Sequence, residues 1–564
     1  MTLQPILDLV AICAKKGIQN AILSPGSRCA PLTLAFARHP DIHARTISDE
    51  RSAAFIALGM AQQLEKPVVL VCTSGSAALN YYPAVAEAFF QQIPLLILTA
   101  DRPPEWIDQW DGQTIFQQEV YGKHVKKSFQ FPDSFENEEQ AWHANRIVSE
   151  AIILSQQFPQ GPVHINIPLR EPFYPEAGEE LNFPEDPNFV TLIPGSQVLS
   201  EDSLNNIKER LQSVKKILII VGQQKPDSKI QTLVDQLVKN KNVVVVTDSI
   251  SNLQSEQTIS LHDHWLGNEQ FQIGLAPDLI ISFGKSIISK SLKLFLRKAE
   301  TSHWHIQPDG QAKDTFQKLT KILSWTPLSF LNFLEQNLPK QDEEYFNRWM
   351  GFEKKVQKIL PSVFEKTGFG EYAALNYLVK KIPSHSKIHV ANSMGVRYLN
   401  FLGRREQEII CNRGTSGIDG SNSTAVGCTF TTKDPVTLIT GDMAFFYDRN
   451  AFWHNYSMAN LRIVILNNHA GGIFRLIDGP SKQPELEEFF ETRQKLNARH
   501  LAQEFGFLYS LVKNQGELEQ ALVSFYEPGI HPKILEIESA SVDNSTILKE
   551  VKAFINSELN LSKG

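Results

Sequence analysis

Short runs of apolar residues recur along the chain, and the stretches between them place their apolar residues at helical spacing. The runs in the first third are Asn20–Ser24, Pro67–Cys72, Leu95–Thr99 and Val163–Ile167. Short continuous apolar runs that alternate with helices are typical of parallel strands buried on both faces. We therefore predict an α/β fold in which mostly parallel sheets are flanked by helices.

The same alternation returns twice after a proline-rich stretch between residues 172 and 194. The later apolar runs are Lys216–Val221, Val243–Thr247 and Leu279–Phe283, then Lys387–Ala391, Val436–Thr440, Leu461–Leu466 and Pro532–Ile537. A charged helical bridge, roughly 341 to 358, separates these two groups. We predict three domains, 1–180, 195–345 and 358–564, which agrees with the usual size of about 100–200 residues per domain.

The composition of the chain limits which partners and which cellular compartment we expect. The net charge of −7 argues against nucleic acid as a partner. No apolar run approaches the roughly 20 residues of a membrane-spanning helix, so we expect no membrane insertion. The five cysteines are scattered and form no CxxC pair, which favours a reducing compartment. We therefore expect a cytoplasmic location.

Two short motifs stand where strands of the third group end. Val436–Thr440 leads into Gly441 and Asp442, and Leu461–Leu466 leads into Asn467 and Asn468. The carboxyl ends of parallel strands meet at one sheet edge, where α/β proteins bind ligands. One carboxylate and one amide oxygen suit Mg²⁺, and the spacing resembles the diphosphate-binding motif of thiamine-diphosphate (ThDP) enzymes. The alternative is a Gly-Asp turn that only caps a helix.

Glu50 stands between a predicted strand that ends near Thr46 and a helix that begins near Arg51. The helix dipole favours a carboxylate at this position, so a capping role is one interpretation. The other is catalytic. A carboxylate near the end of a strand of the first domain is what ThDP needs to activate its aminopyrimidine ring.

Four arginines follow strand ends or lie in glycine-rich loops: Arg28, Arg102, Arg397 and Arg413. Arginine is favoured where a carboxylate is bound in a planar, bidentate way. Together they indicate a small substrate with several carboxylates. Each could instead form a surface ion pair.

These motifs belong to a longer series of segments that occur in a specific order. The series comprises Ser24–Arg28, Ser48–Ser52, Cys72–Gly75, Thr99–Pro104, Gly161–Asn166, Asn412–Gly414, Ser416–Gly420, Gly441–Asp442 and Asn467–Asn468. Over nearly its full length the chain resembles the 2-succinyl-5-enolpyruvyl-6-hydroxy-3-cyclohexene-1-carboxylate (SEPHCHC) synthases, the ThDP enzymes of menaquinone synthesis.

The resemblance implies a fold of three α/β domains, which are the pyrimidine-binding, central and diphosphate-binding domains. It also implies a homodimer or homotetramer with active sites at the subunit interface. Glu50 of one chain would face the diphosphate-binding domain of another.

The resemblance further implies roles for individual residues. Glu50 would be catalytic and would bind the cofactor together with Thr73, Gly441, Ile418 and Ser393. Asp442, Asn468 and the carbonyl oxygen of Ala470 would bind Mg²⁺, with Mn²⁺ able to substitute. The substrate pocket would contain Ser27, Arg28, Arg102, Gln113, Lys290, Arg397, Arg413, Phe474 and Ile477. Gly112, Ser291 and Ala470 depart from the family pattern at their positions.

The expected activity is a carboligase reaction. It would decarboxylate 2-oxoglutarate and add the resulting succinyl carbanion equivalent to isochorismate, giving SEPHCHC and CO₂. Another ThDP-dependent 2-oxoacid decarboxylase, or a carboligase like acetohydroxyacid synthase, remains the alternative. A ThDP-fold protein without catalysis is the alternative from another class.

Overall fold

The computed structural model of the chain describes residues 4–176, 179–195, 199–253 and 255–561. Its strands form three sheets of six, five and six strands. Neighbouring strands are parallel in each of them. The predicted α/β class is confirmed. The predicted domain boundaries stay predictions, because sheets mark the centres of such units and not their ends.

The first unit surrounds the six-stranded sheet of order β2-β1-β3-β4-β6-β5. Its strands are β1 Asn20–Leu23, β2 His43–Thr46, β3 Val68–Cys72, β4 Leu95–Asp101, β5 Ser128–Gln130 and β6 Val163–Pro168. Its helices are α1 Gln4–Lys15, α2 Ala30–Arg38, α3 Glu50–Leu64, α4 Ser76–Asn80, α5 Tyr82–Gln91 and α6 Glu138–Gln156. The central strands β3 and β4 are buried along their whole length, as continuous apolar runs predict.

The second unit contains the five-stranded sheet of order β11-β10-β9-β7-β8. Its strands are β7 Ile217–Val221, β8 Val244–Thr247, β9 Leu279–Phe283, β10 Ser302–Ile306 and β11 Leu319–Leu323. Its helices are α7 Glu201–Ser213, α8 Ser228–Lys241, α9 Lys290–Lys298 and α10 Pro327–Asn337. Helix α11, Glu343–Phe364, then leads to the third unit, where the sequence predicts a helical bridge.

The third unit repeats the strand order of the first, as β13-β12-β14-β15-β17-β16. Its strands are β12 Lys387–Val390, β13 Glu408–Ile410, β14 Val436–Gly441, β15 Leu461–Asn467, β16 Leu508–Val512 and β17 Lys533–Glu538. Its helices are α12 Glu371–Leu378, α13 Met394–Phe401, α14 Ser421–Thr429, α15 Asp442–Tyr447, α16 Arg499–Glu504, α17 Gln515–Phe525 and α18 Ser541–Leu561. The two six-stranded units thus share one topology.

Helices α3 and α14 pack the first unit against the third. All nine residues of α14 are buried. A Cβ atom on Gly59 of α3 would lie 2.0 Å from the carbonyl oxygen of Thr424, and one on Gly427 of α14 would lie 2.0 Å from that of Ile56. Both distances are far below van der Waals contact. Glycine is therefore required at both positions for the two helix backbones to approach this closely.

None of the helices among the described residues is long and apolar enough to cross a membrane.

The helix pair gives a stability prediction. Gly59→Ala should lower the melting temperature by several degrees, because the new methyl group forces α3 away from α14. Gly351→Ala is the control, since Gly351 lies inside helix α11 and a Cβ there meets no atom within 4 Å. It should raise stability by about 0.5–1 kcal/mol through helix propensity. Differential scanning fluorimetry of both variants measures the effect, and equal melting temperatures would contradict the packing described.

Candidate active site

The two metal motifs meet at one sheet edge. Gly441 ends β14, Asp442 begins α15, and Asn468 directly follows β15. Strands β14 and β15 are neighbours, with Gly441 paired to Leu466. The carboxylate and the amide therefore lie at the ends of adjacent strands, as the sequence predicts. The Asp442 side chain is buried.

Polar partners orient both side chains. Gln494 Nε2 donates to Asp442 Oδ2 at 2.6 Å, and Asn468 Nδ2 donates to Glu371 Oε1 at 2.6 Å. The backbone N–H of Ala470 donates to Asn468 Oδ1 at 3.0 Å. Glu371 and Gln494 lie far from the motifs along the chain, so no local pattern could have identified them.

Burial changes the acidity of this group. It raises the pKa of Asp442 to about 6 and that of Glu371 to about 7, and the nearby Asp442 charge raises the Glu371 pKa further. A bound cation would favour the ionised forms of such carboxylates. Carboxylate, amide and carbonyl oxygens of Asp442, Asn468 and Ala470 are hard donors, so these residues fit Mg²⁺.

Arg397 and Arg413 lie close together beside this edge. Ser393, between β12 and α13, accepts at its carbonyl oxygen from Arg397 Nη1 at 2.5 Å, and Asn392 Oδ1 accepts from Arg413 Nη1 at 2.9 Å. Burial and the charge of Arg413 lower the pKa of Arg397. Neither guanidinium forms an ion pair with any residue in the described ranges. The surface ion-pair interpretation therefore does not hold for these two.

Lys293, which the sequence analysis did not identify, lies near Arg397 and Arg413. Lys293 lies inside α9, and burial together with the charges of Arg413 and Arg397 lowers its pKa. Lys290, which the family pattern suggests, is exposed at the first position of α9. Lys293 lies three positions after Lys290, so the two residues face the same side of α9. The role of Lys290 stays a prediction.

Two apolar residues expected in the pocket follow the Asn-Asn motif. Phe474 is partly buried and packs its ring 5.8 Å from that of Phe490. The Ile477 side chain is 39% exposed. Ile418 is also 39% exposed, so it is not the core residue that a glycine-rich turn would otherwise suggest. We call the group of Ser393, Arg397, Arg413, Ile418, Asp442, Asn468 and Ala470 the second half-site.

The first unit gathers another group, the first half-site, which consists of Ser27, Arg28, Glu50, Thr73 and Arg102. A Cβ on Gly26 would lie 2.3 Å from Thr73 Cβ, so only glycine lets the Ser24–Arg28 turn rest on Thr73. Arg102 Nη1 donates to Ser74 Oγ at 3.4 Å. Burial and the Arg102 charge lower the pKa of Arg28.

The two arginines of the first half-site already have protein partners. Arg28 Nη1 donates to the carbonyl oxygen of Leu169 at 2.9 Å, and Arg102 is ion-paired with Asp111. Arg102 thus matches the ion-pair interpretation in this chain. Gln113 is exposed and has a φ of 58°, and its backbone lies against Gly75 at the edge of the half-site.

Glu50 is the first residue of α3, but it is not the cap of that helix. Asp49 Oδ1 accepts from the backbone N–H groups of Arg51 at 2.9 Å and Ser52 at 3.3 Å. The capping interpretation therefore applies to Asp49. The half-buried Glu50 carboxylate forms no hydrogen bond or ion pair within the part of the chain that the structure describes. It is left available for a ligand.

The two half-sites of one chain are not joined to each other directly. Among the described residues, no hydrogen bond or ion pair links Glu50, Arg28 or Arg102 to Asp442 or Asn468. Each half-site presents only part of the groups that the expected chemistry needs.

Comparison with known proteins places this geometry in a family. The model described as "Thiamine pyrophosphate enzyme, N-terminal TPP binding domain" matches residues 7–125. The model described as "Middle domain of thiamine pyrophosphate" matches residues 197–390. Thiamine pyrophosphate is another name for ThDP. The benzoylformate decarboxylase from Polynucleobacter necessarius shares the fold, with a TM-score of 0.70, 16% identity, and coverage of 96% of this chain and 99% of that chain.

Relatives that match over nearly the whole chain identify the family more specifically. A 2-succinyl-5-enolpyruvyl-6-hydroxy-3-cyclohexene-1-carboxylate synthase of Cytophaga hutchinsonii is 46% identical, over 98% of this chain and 99% of the relative. Synthases of the same name from Christiangramia forsetii and Porphyromonas gingivalis are 38% and 36% identical over 98% of this chain, and over 98% and 97% of their own lengths. The chain therefore belongs to the SEPHCHC synthase family of thiamine-diphosphate enzymes.

Proposed function

We propose that this chain is a ThDP-dependent carboligase of menaquinone biosynthesis. It decarboxylates 2-oxoglutarate and adds the remaining four-carbon unit to isochorismate, with SEPHCHC and CO₂ as products. One observation supports this function most strongly. An oxygen-donor site at the buried Asp442 and the partly buried Asn468 lies on the same sheet edge as arginines 397 and 413, which form no ion pair among the described residues. Both proposed substrates are dicarboxylates that need such cations.

The second half-site holds the cofactor. Asp442, Asn468 and the Ala470 carbonyl would hold Mg²⁺, or Mn²⁺ in its place, and the ion would supply positive charge for the diphosphate. Gly441 and Ser393 lie at the ends of the neighbouring strands β14 and β12, within reach of the same group. The exposed Ile418 would support the cofactor, and Thr73 of the first half-site would also contact it.

Glu50 acts on the pyrimidine ring. Bound ThDP supplies the electron sink that lets a 2-oxoacid lose CO₂ and lets the remaining unit add to an acceptor. The Glu50 carboxylate would hydrogen-bond to the pyrimidine ring nitrogen and would move a proton to and from it. Asp49 makes the helix cap, and Glu50 is therefore available for this role.

The substrate carboxylates bind to cations from both half-sites. Arg397, Arg413 and Lys293 form no ion pair among the described residues, and their combined positive charge attracts an anion into the cleft. Lys290 adds a contact beside Lys293. The first unit adds contacts from the other side through Ser27, Arg28, Arg102 and Gln113. The apolar wall consists of Phe474 and Ile477. Fixed cations also orient the two acids for reaction.

The assembly that completes the site is a homodimer or a homotetramer. Glu50 has no hydrogen-bond or ion-pair partner among the described residues. The second half-site contains no carboxylate that could face the pyrimidine ring. Both observations fit an active site that is made by two chains. We also propose a cytoplasmic location, which is supported by five free and buried cysteines. The boundaries 1–180, 195–345 and 358–564 are proposed for the three domains.

A product assay tests the reaction. Purified protein with ThDP and Mg²⁺ should release CO₂ from 2-oxoglutarate, and isochorismate should be converted to an adduct with the mass of SEPHCHC. Mass spectrometry and a CO₂ sensor follow the two products. Adduct formation from pyruvate in place of 2-oxoglutarate would contradict the proposed donor. CO₂ release without any adduct would contradict the proposed acceptor.

Glu50→Gln should lower kcat by about 100-fold or more, because the amide cannot share the proton that general acid–base catalysis requires. The melting temperature should stay unchanged, since Asp49 keeps the helix cap. Glu65→Gln, at the other end of the same helix, is the matched control and should keep near-normal activity. Steady-state kinetics and thermal melting of both variants measure this. Near-normal turnover of Glu50→Gln would contradict the catalytic role.

A further inference from the structure

A buried carboxylate of the first unit holds a substrate-binding loop of the third unit. Glu87, on helix α5, is 1% exposed. Its Oε1 accepts from the backbone N–H of Gly414 at 2.8 Å, and its Oε2 accepts from the backbone N–H of Thr415 and from Thr415 Oγ1, both at 2.6 Å. These are hydrogen bonds to a charged acceptor, which are stronger than those between neutral groups.

Arg413 directly precedes the two residues that Glu87 holds. Its guanidinium is fixed to Asn392 Oδ1, and its Nε atom is buried without a hydrogen-bond partner in the described structure. A Cβ on Gly414 would lie 2.7 Å from the Glu87 carbonyl oxygen, so the loop lies directly on helix α5. The position of the Arg413 side chain therefore depends on a residue of another unit.

The same loop is held at its other end through the second unit. Gln91 Nε2 donates to Glu87 Oε1 at 2.6 Å, and Gln223 Nε2 donates to Gln91 Oε1 at 3.2 Å and to the carbonyl oxygen of Cys411 at 2.8 Å. Glu87, Gln91 and Gln223 are all buried. Residues 411 to 415 are thus fixed at both ends by one connected polar network that spans all three units.

We propose that Glu87 is a positioning residue for Arg413, which it holds in place to bind a substrate carboxylate. The inference rests on the proposed function, because it assumes that Arg413 binds substrate. Glu87 itself touches neither substrate nor cofactor. Its effect passes through the backbone of residues 413 to 415.

A glutamine at this position keeps the shape of the side chain but turns an NH₂ group toward backbone N–H donors. Glu87→Gln should therefore raise the KM of the acid that Arg413 binds by about tenfold, a factor equivalent to about 1.4 kcal/mol. It should lower kcat much less, and ThDP affinity measured by tryptophan fluorescence should not change. Thr415→Val removes one donor only and should raise the same KM by a smaller factor.

Glu353→Gln is the matched control. Glu353 is also fully buried and accepts from two backbone N–H groups and a hydroxyl, those of Ser260 and Leu261, but it ties α11 to the second unit. It should lower the melting temperature and leave both KM values unchanged. An equal rise of KM in this control would show a general loss of structure and overturn the inference.

A double-mutant cycle with Arg413→Ala decides whether the effect passes through Arg413. If it does, Glu87→Gln should raise KM little further once Arg413 is absent. Fully additive effects would overturn the inference. If Arg413→Ala changes neither KM, the proposed role of Arg413 fails together with the inference. If Arg413→Ala raises KM and Glu87→Gln and Thr415→Val do not, only the inference fails.

Discussion

The close approach of helices α3 and α14 is the constraint on which the rest of the structure depends. Gly59 and Gly427 allow each backbone to contact the other, and a single methyl group at either position would prevent it. Because α3 begins at Glu50 and α14 follows the Arg413 loop, this contact sets how the first and third units present their functional residues. The carboxylate of Glu87 adds a second connection between the same units.

The chemistry of the site depends on ionisable side chains that are buried without a full set of oppositely charged partners. Asp442 and Glu371 are carboxylates with raised pKa values, and Arg397 is a guanidinium with a lowered pKa. Burying charges without partners is costly, and a ligand that supplies the missing partner recovers that cost. A metal with a diphosphate and a dicarboxylate substrate are partners of this kind.

Much of the fold follows from the sequence, because central strands of parallel sheets are continuous apolar runs. The runs Val68–Cys72 and Leu279–Phe283 are strands in the structure, and the motifs at Asp442 and Asn468 lie at strand ends as predicted. Apolar residues at helical spacing also predict a first helix through Leu3, Ile6, Leu7, Val10 and Cys13. It is α1 in the structure, although Leu3 lies outside the described residues. The edge strands β2 and β16 have mixed, partly exposed residues, so no apolar run marks them.

The site residues that could not be predicted from the sequence contact residues that are far away along the chain. Glu371 binds Asn468, and Glu87 binds the Arg413 loop. Lys293 of the second unit lies near Arg397 and Arg413 of the third unit. No local spacing predicts such contacts, since they arise only when separate units pack together. The distinction between Asp49 as cap and Glu50 as free carboxylate likewise required the geometry of the helix start.

We propose that the two half-sites of one chain serve different active sites, and subunit complementation tests this most directly. Glu50→Gln and Asp442→Asn are each expected to be inactive alone. When the two variants are co-expressed in equal amounts, mixed dimers contain one site with both native residues, and activity should return to about one quarter of the native value. If the mixture remains as inactive as either variant alone, each active site lies within one chain and the claim is wrong.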